Sequence, residues 1–209
     1  MTAARGGSEV DAVVLDLGNV LVTWDPARAF AGRRTDAEVR RFFDDVDFPA
    51  LNLRQDAGRP WSQARAEVAA RHPEHVATLD LYVERFADAL PGPVPGSAAV
   101  VDDLRAAGVR VLGLTNWSAE TFHHAVPAAP VIGRLEDVVV SGREGVAKPD
   151  ARIFRIVAER FGLAPARTVF VDDSPANVDA AAALGFQAVL FTDAAALRAD
   201  LVARGVLAG

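Results

Sequence analysis

At 209 residues and 51% hydrophobic side chains, the chain is long enough for one sizeable domain, or for a core domain carrying a smaller insert. Its net charge of −6 argues against nucleic acid or an anionic membrane surface as the main partner, because both need a basic footprint, although a small phosphate can still be held at a local site. The absence of cysteine excludes disulfides, thiolate catalysis and Cys-ligated zinc, and it suits a cytoplasmic protein.

In chain order, Met1 to Glu9 is small and polar and lacks the apolar core of a signal peptide, and no run approaches bilayer length. Val13–Leu15 is a short apolar run ending in Asp16, Leu17, Gly18 and Asn19, which predicts a buried strand opening into a tight loop. From about Pro26 to Leu90 the texture is helical. Thr35 followed by Glu38 is a capping-box signature, with Val39, Phe42, Phe43 and Val46 recurring behind it at helical spacing. Ser62 is predicted to cap a second helix running to Arg71, with Pro73 breaking it, and Leu79, Val83, Phe86 and Leu90 form the stripe of a third.

Pro91 to Gly96 is a stiff connector, after which strands and helices alternate. Strands are predicted over Val109–Leu114, Val138–Val140, Thr168–Val171 and Gln187–Phe191. Helices are predicted over Ser97–Ala107, from about Asp150 to Phe161, up to Leu184, and over Ala194–Arg204. This pattern implies an α/β, Rossmann-like parallel sheet with right-handed crossovers. The expected division is a core formed by residues 1–23 and 91–209, with a helical cap inserted over 24–90.

In an open parallel sheet, ligands bind at the carboxyl ends of the strands. Asp16, Thr115 with Asn116, and Asp172 with Asp173 each follow such a strand, and Lys148 sits in a loop ahead of Asp150. Three carboxylates without thiol chemistry point to an oxygen-ligated metal, for which Mg²⁺ is suited, and Asp172, nearer its strand, is expected to ligate more directly than Asp173. Thr115 is placed to hydrogen-bond a phosphoryl oxygen, Lys148 to balance charge and Asp16 to act as a covalent nucleophile.

Taken together, Asp16-Leu17-Gly18-Asn19-Val20, Leu114-Thr115-Asn116, Lys148-Pro149 and Val171-Asp172-Asp173-Ser174 resemble the four ordered motifs of the haloacid dehalogenase superfamily. The helical insert resembles the small cap of one subclass, and the first motif is similar to that of glucose-1-phosphate-type sugar-phosphate phosphatases. The resemblance implies a Mg²⁺-dependent phosphatase that forms an aspartyl phosphate. Its metal would be held by Asp16, the Gly18 carbonyl, Asp172 and Asp173. Asp16, Thr115 and Lys148 would be catalytic, Asn116 would bind substrate, and a small phosphorylated metabolite, such as a sugar phosphate, would be the partner. The alternatives are a metal-independent 2-haloacid dehalogenase, which the adjacent acids Asp172 and Asp173 disfavour, and a non-catalytic phospholigand binder.

One departure matters. Most phosphatases of the superfamily carry a second Asp two residues after the nucleophile to shuttle the proton, and here that position is Gly18. Asp25, His72 and His75 are the replacements the sequence offers. His123 and His124 do not face together on a helix, which disfavours metal binding there. Arg33, Arg34, Arg40 and Arg41 read as a solvated face or a phosphate-steering one. Trp24, Phe48 and Trp61 read as cap core, with one of them free to line a pocket. Asn177 reads equally as a site contact or a helix-surface amide. Oligomeric state is not legible.

Overall fold

The computed structural model describes residues 10–209; the stretch expected to lack a signal peptide lies outside them. Its centre is a five-stranded, fully parallel sheet in the order β5-β4-β1-β6-β7, formed by β1 (Ala12–Leu15), β4 (Arg110–Thr115), β5 (Val138–Val140), β6 (Thr168–Asp172) and β7 (Gln187–Leu190). The chain leaves β1 to build one flank, β4 then β5, and returns to build the other, β6 then β7. The order therefore reverses at β1, and the crevice outside its carboxyl end is where an open sheet binds ligands.

β1 is apolar throughout because both of its faces are covered. Val13 and Leu15 join one apolar cluster, while Ala12 and Val14 join another, as the period of two requires. The Ala12 and Val14 face is closed by Ile153, Phe154 and Val157 of α8 (Ala151–Phe161) and by Ala181 of α9 (Pro175–Ala183). The Val13 and Leu15 face packs on α5 (Ser97–Ala106) and α10 (Ala194–Ala203), and its cluster continues without a break into the helical block.

That block is entered and left through a two-stranded antiparallel ribbon, β2 (Val22–Thr23) against β3 (Gly92–Pro93). Between these strands, among the described residues, only helical elements and turns occur: α1 (Asp36–Asp45), α2 (Phe48–Asp56), α3 (Trp61–Arg71), α4 (Val76–Glu84) and short 3₁₀ turns at Pro26–Phe30, Pro73–His75 and Phe86–Ala89. Both arms of the predicted capping box form: the Thr35 hydroxyl accepts from the Glu38 N–H, and the Glu38 carboxylate accepts from the Thr35 N–H.

The helical block departs from expectation in three places. Ser62 does not cap α3; Pro60 holds the N-cap position and Ser62 lies in the first turn, while the Trp61 N–H is satisfied by Glu120 Oε1 at 2.9 Å. The helix α2 was not foreseen. Pro49 looks like a breaker but sits in the first turn, where its missing N–H costs nothing, and Asp47 caps the helix. The stripe predicted from Leu79 to Leu90 breaks after Glu84 and ends in a 3₁₀ turn. Two further short helices, α6 (Ala125–Ala128) and α7 (Ser141–Glu144), flank β5. Among the described residues no helix is long and apolar enough to cross a membrane.

Candidate active site

The carboxyl ends of the three central strands bring the expected residues together. Asp16 follows β1 and is buried, with its Oδ1 accepting from the Leu17 N–H at 2.7 Å. Thr115 ends β4 and is buried. Lys148 is fully enclosed, and its ammonium has an acceptor for each proton: Asp16 Oδ1 at 2.9 Å, Asp172 Oδ2 at 2.6 Å and the Leu114 carbonyl at 2.9 Å. Burial works against the Lys148 charge, yet Asp16 and Asp172 outweigh it and hold its pKa above the usual lysine value. Burial pushes the Asp16 carboxyl upward, with Lys148 pulling the other way.

Asn116, expected to contact substrate, lines the cavity beside the strand ends and also clamps a neighbour. Its Oδ1 accepts from the Lys148 N–H at 2.8 Å and its Nδ2 donates to the Lys148 carbonyl at 2.9 Å, so the amide clamps the lysine's backbone in place. Asn177 belongs to the site: buried, it donates to Asp172 Oδ1 at 2.9 Å, alongside the Ser174 N–H. Asp172 is thus engaged at both oxygens. Asp173 is exposed and meets Asn19 Nδ2 at 3.3 Å. Asp173 is therefore the more open of the two carboxylates, and Asp172 the more enclosed.

One carboxylate oxygen each from Asp16, Asp172 and Asp173 lie within 4.8 Å of one another. When all three are ionised, the carboxylates share a single ammonium and two negative charges are left over. That is the donor set and the charge of a divalent-cation site with oxygen ligands. Gly18 lies in the turn after Asp16, where the Val22 N–H bonds to the Leu17 carbonyl and the Asn19 N–H to the Val22 carbonyl.

A cavity opens beside this cluster, between the helical block and the sheet edge. Trp24, Trp61, Phe86 and Trp117 form its apolar wall. Gly18, Asn52, Asp56, Asn116 and Thr121 supply the rest. Both Trp24 and Trp61 line it, whereas Phe48 is core, packed on Phe43 and Tyr82. Asp56, at the end of α2, is the site residue that sequence reasoning missed. Burial raises its pKa to about 7; the Ser118 N–H lowers it, the field of Asp16 raises it and Lys148 lowers it.

The proposed substitutes for a proton shuttle lie elsewhere. Asp25 caps the 3₁₀ turn after it and lines a separate groove with Arg34 and Arg40. His75 binds Asp45 at 2.7 Å, and His72 lines a further groove beside Arg54 and Glu67. Arg41 pairs with Asp45, and His123 bonds the Glu120 carbonyl while His124 stacks on Phe86.

Comparison with known proteins gives the fold and the family. A sesquiterpene phosphatase of Aspergillus oryzae is 25% identical over 91% of this chain and 94% of its own. A drimenol cyclase of Aspergillus calidoustus is 28% identical over 87% of this chain, which spans only 34% of that longer protein. Among solved structures, a HAD family enzyme of Bacteroides thetaiotaomicron in complex with magnesium superposes with a TM-score of 0.70 at 22% identity, covering 88% of this chain and 94% of that one. The L-2-haloacid dehalogenase of Xanthobacter autotrophicus superposes at 0.63, with 21% identity, 96% of this chain and 85% of that one. These structures share the fold. The family model of haloacid dehalogenase-like hydrolases matches residues 10–185, spanning all four motifs and the helical insert, and the chain belongs to that family of hydrolases.

Proposed function

We propose that the protein is a Mg²⁺-dependent phosphatase that hydrolyses a small phosphate monoester through an aspartyl phosphate on Asp16. The observation that carries this reading is the charge count at the strand ends, three carboxylates against one lysine. A site left with two uncompensated negative charges repels a phosphate dianion unless a divalent cation joins it. Asp16, Asp173, the Gly18 carbonyl and Asp172 are the groups that would hold Mg²⁺, which when bound supplies charge neutralisation at the phosphoryl oxygens.

The chain's own residues do the remainder. Asp16 presents a carboxylate oxygen fixed by Lys148 and the Leu17 N–H. It attacks phosphorus, the P–O bond to the leaving group breaks, and water later cleaves the acyl phosphate to free inorganic phosphate and Asp16. Lys148 holds Asp16 and Asp172 apart and in register. Thr115, at the end of β4, would donate its hydroxyl proton to a phosphoryl oxygen. Residues 24–90 act as a cap, and the aromatic wall that it forms with Trp117 selects the leaving group. Trp24, Trp61, Phe86 and Trp117 suit a substrate with an apolar body, such as a prenyl chain or the CH face of a sugar ring. The sesquiterpene phosphatase relative supports the first of these.

The test is phosphate release from 4-nitrophenyl phosphate, a prenyl monophosphate and glucose 1-phosphate, with Mg²⁺ and with EDTA. Turnover is expected with Mg²⁺ only, and Asp16→Asn should abolish it while leaving the circular dichroism spectrum unchanged. Full activity in EDTA, or turnover of a 2-haloacid in its place, would overturn the reading.

A further inference from the structure

Loss of the leaving alcohol as an alkoxide is slow, so a phosphatase of this kind needs a proton donor, and the loop after β1 carries none because position 18 is glycine. The shape of the backbone does not demand that glycine. Gly18 is outside the left-handed region, and a Cβ built on it meets nothing within 4 Å. An acid there would fit, so the proton must be handled from another wall of the same cavity.

Asp56 stands on that wall. Among the residues lining the cavity it is the one side chain able to exchange a proton near neutrality; the others are glycine, amides, a threonine and aromatics. It is close enough to the strand ends for Asp16 and Lys148 both to act on its charge. It is also held in place: Asn52 Nδ2 donates to its Oδ2 at 2.8 Å, the Ser118 N–H reaches its carboxylate from the loop after β4, and Ser141 Oγ donates to its backbone carbonyl. A carboxylate at the last residue of a helix faces the negative end of the helix dipole, so position 56 is a poor place for an Asp chosen to stabilise α2. Beside it, the buried indole N–H of Trp61 has no hydrogen-bond partner among the described residues, which leaves the cavity a donor for a substrate oxygen.

We propose that Asp56, contributed by the helical block, is the general acid and base of the reaction, in place of the side chain missing at Gly18. This rests on the phosphatase reading. As the Asp16 oxygen bonds to phosphorus and the P–O bond to the leaving group breaks, the protonated Asp56 gives its proton to the departing oxygen, so the alcohol leaves neutral. Asp56, now a carboxylate, takes a proton from the water that attacks the acyl phosphate. The Asp16–P bond breaks, inorganic phosphate leaves, and both carboxyl groups return to their starting states.

The experiment compares wild type, Asp56→Asn, Asp56→Glu and the double variant Gly18→Asp/Asp56→Asn, using Mg²⁺ and a series of phosphate monoesters running from 4-nitrophenyl to simple alkyl. Wild-type rates should depend weakly on leaving-group acidity. Asp56→Asn should lose about 10²–10⁴-fold in turnover of alkyl esters. With 4-nitrophenyl phosphate it should still release one equivalent of phenol in a burst, followed by slow turnover, because formation of the phosphoenzyme needs no acid there while its hydrolysis still needs a base. Asp56→Glu, which keeps an ionisable group, should retain the weak leaving-group dependence. Gly18→Asp should restore part of the alkyl-ester rate to Asp56→Asn. Equal losses of less than tenfold on alkyl and aryl esters, or no burst from a folded Asp56→Asn, would overturn the inference and leave the phosphatase reading standing. Absence of any phenol release by wild type would remove both.

Discussion

Lys148→Met isolates the electrostatics of the site from its packing. Methionine fills nearly the same volume as the lysine stem, so no cavity forms, and the loss is that of the charge between two buried carboxylates. Lys148 is fully enclosed and meets Asp16 at 2.9 Å and Asp172 at 2.6 Å, and Asp172 has no exposure at all. Removing one partner from a buried ion pair costs about 3–5 kcal/mol, because the other charge is left without compensation. For a chain of this size each kcal/mol moves Tm by about 2–4 °C, so the metal-free variant should melt about 6–20 °C below wild type. The deficit should depend on pH. Asp16 already has a folded-state pKa raised to about 7, so its folded state holds a proton that the unfolded chain, near 3.9, gives up. Stability of the metal-free protein from this group is full below about pH 4 and declines as pH rises toward 7; without Lys148 to lower the folded-state pKa, the decline extends to higher pH. Differential scanning calorimetry at pH 5 and pH 8 in EDTA reads both effects. Arg152→Met, which breaks the exposed Arg152–Asp150 pair, is the control and should cost no more than about 1 kcal/mol. A Lys148→Met variant that melts within about 2 °C of wild type, or whose deficit is the same at both pH values, would refute the reasoning.

Asp172 and Asp173 should separate into structural and ligand roles. Asp172→Asn should destabilise by about 3–5 kcal/mol in urea unfolding because it strips Lys148 of a buried partner, whereas Asp173→Ala should leave stability within about 0.5 kcal/mol yet weaken Mg²⁺ binding, by isothermal titration calorimetry, more than Asp172→Asn does. Gly142→Ala should destabilise by about 1–3 kcal/mol, because its Cβ would lie 2.4 Å from the Ala119 nitrogen and 2.7 Å from the Trp117 carbonyl; Gly18→Ala, with open space around it, is the stability control measured alongside.

The sheet and its reactive edge were legible in the sequence because both follow from local rules. An apolar run such as Val13–Leu15, ending in a polar residue, reads as a strand covered on both faces, and parallel strands deliver their last residues to one edge, so Asp16, Thr115 and Asp172 meet there, with Lys148 joining them from the loop before α8. What escaped depends on tertiary contact. Only Phe48, Leu51 and Gln55 of α2 are buried, and Pro49 disguises its start, so Asp56 reads as a loop residue with nothing to connect it to Asp16, 40 positions earlier. Asn116 follows a strand end and looks aimed at substrate; its amide finds the Lys148 backbone first. Asn177 reads equally as a site contact or a helix-surface amide until the fold sets Asp172 beside it. In each case the residue type was visible and its partner was not.

The place of the acid on α2 ties chemistry to the position of the helical block. Asp16, Thr115, Lys148 and Asp172 belong to the sheet edge and hold one another there. Asp56 is joined to that edge by the Ser118 N–H and Ser141 Oγ, with Glu120 fastening the neighbouring start of α3. Where Gly58 faces Gly142 and Gly145, an added Cβ would approach their backbone to 3.1–3.2 Å, so the two surfaces meet with backbone against backbone. Any displacement of the block that parts these contacts carries the proton donor away and leaves the nucleophile where it was. An acid on the loop after β1 would be present whether the block was seated or not. With glycine at 18 and the acid at 56, a leaving group that needs protonation can depart only while the block is seated over it, and by then the aromatic wall has already tested the substrate's body.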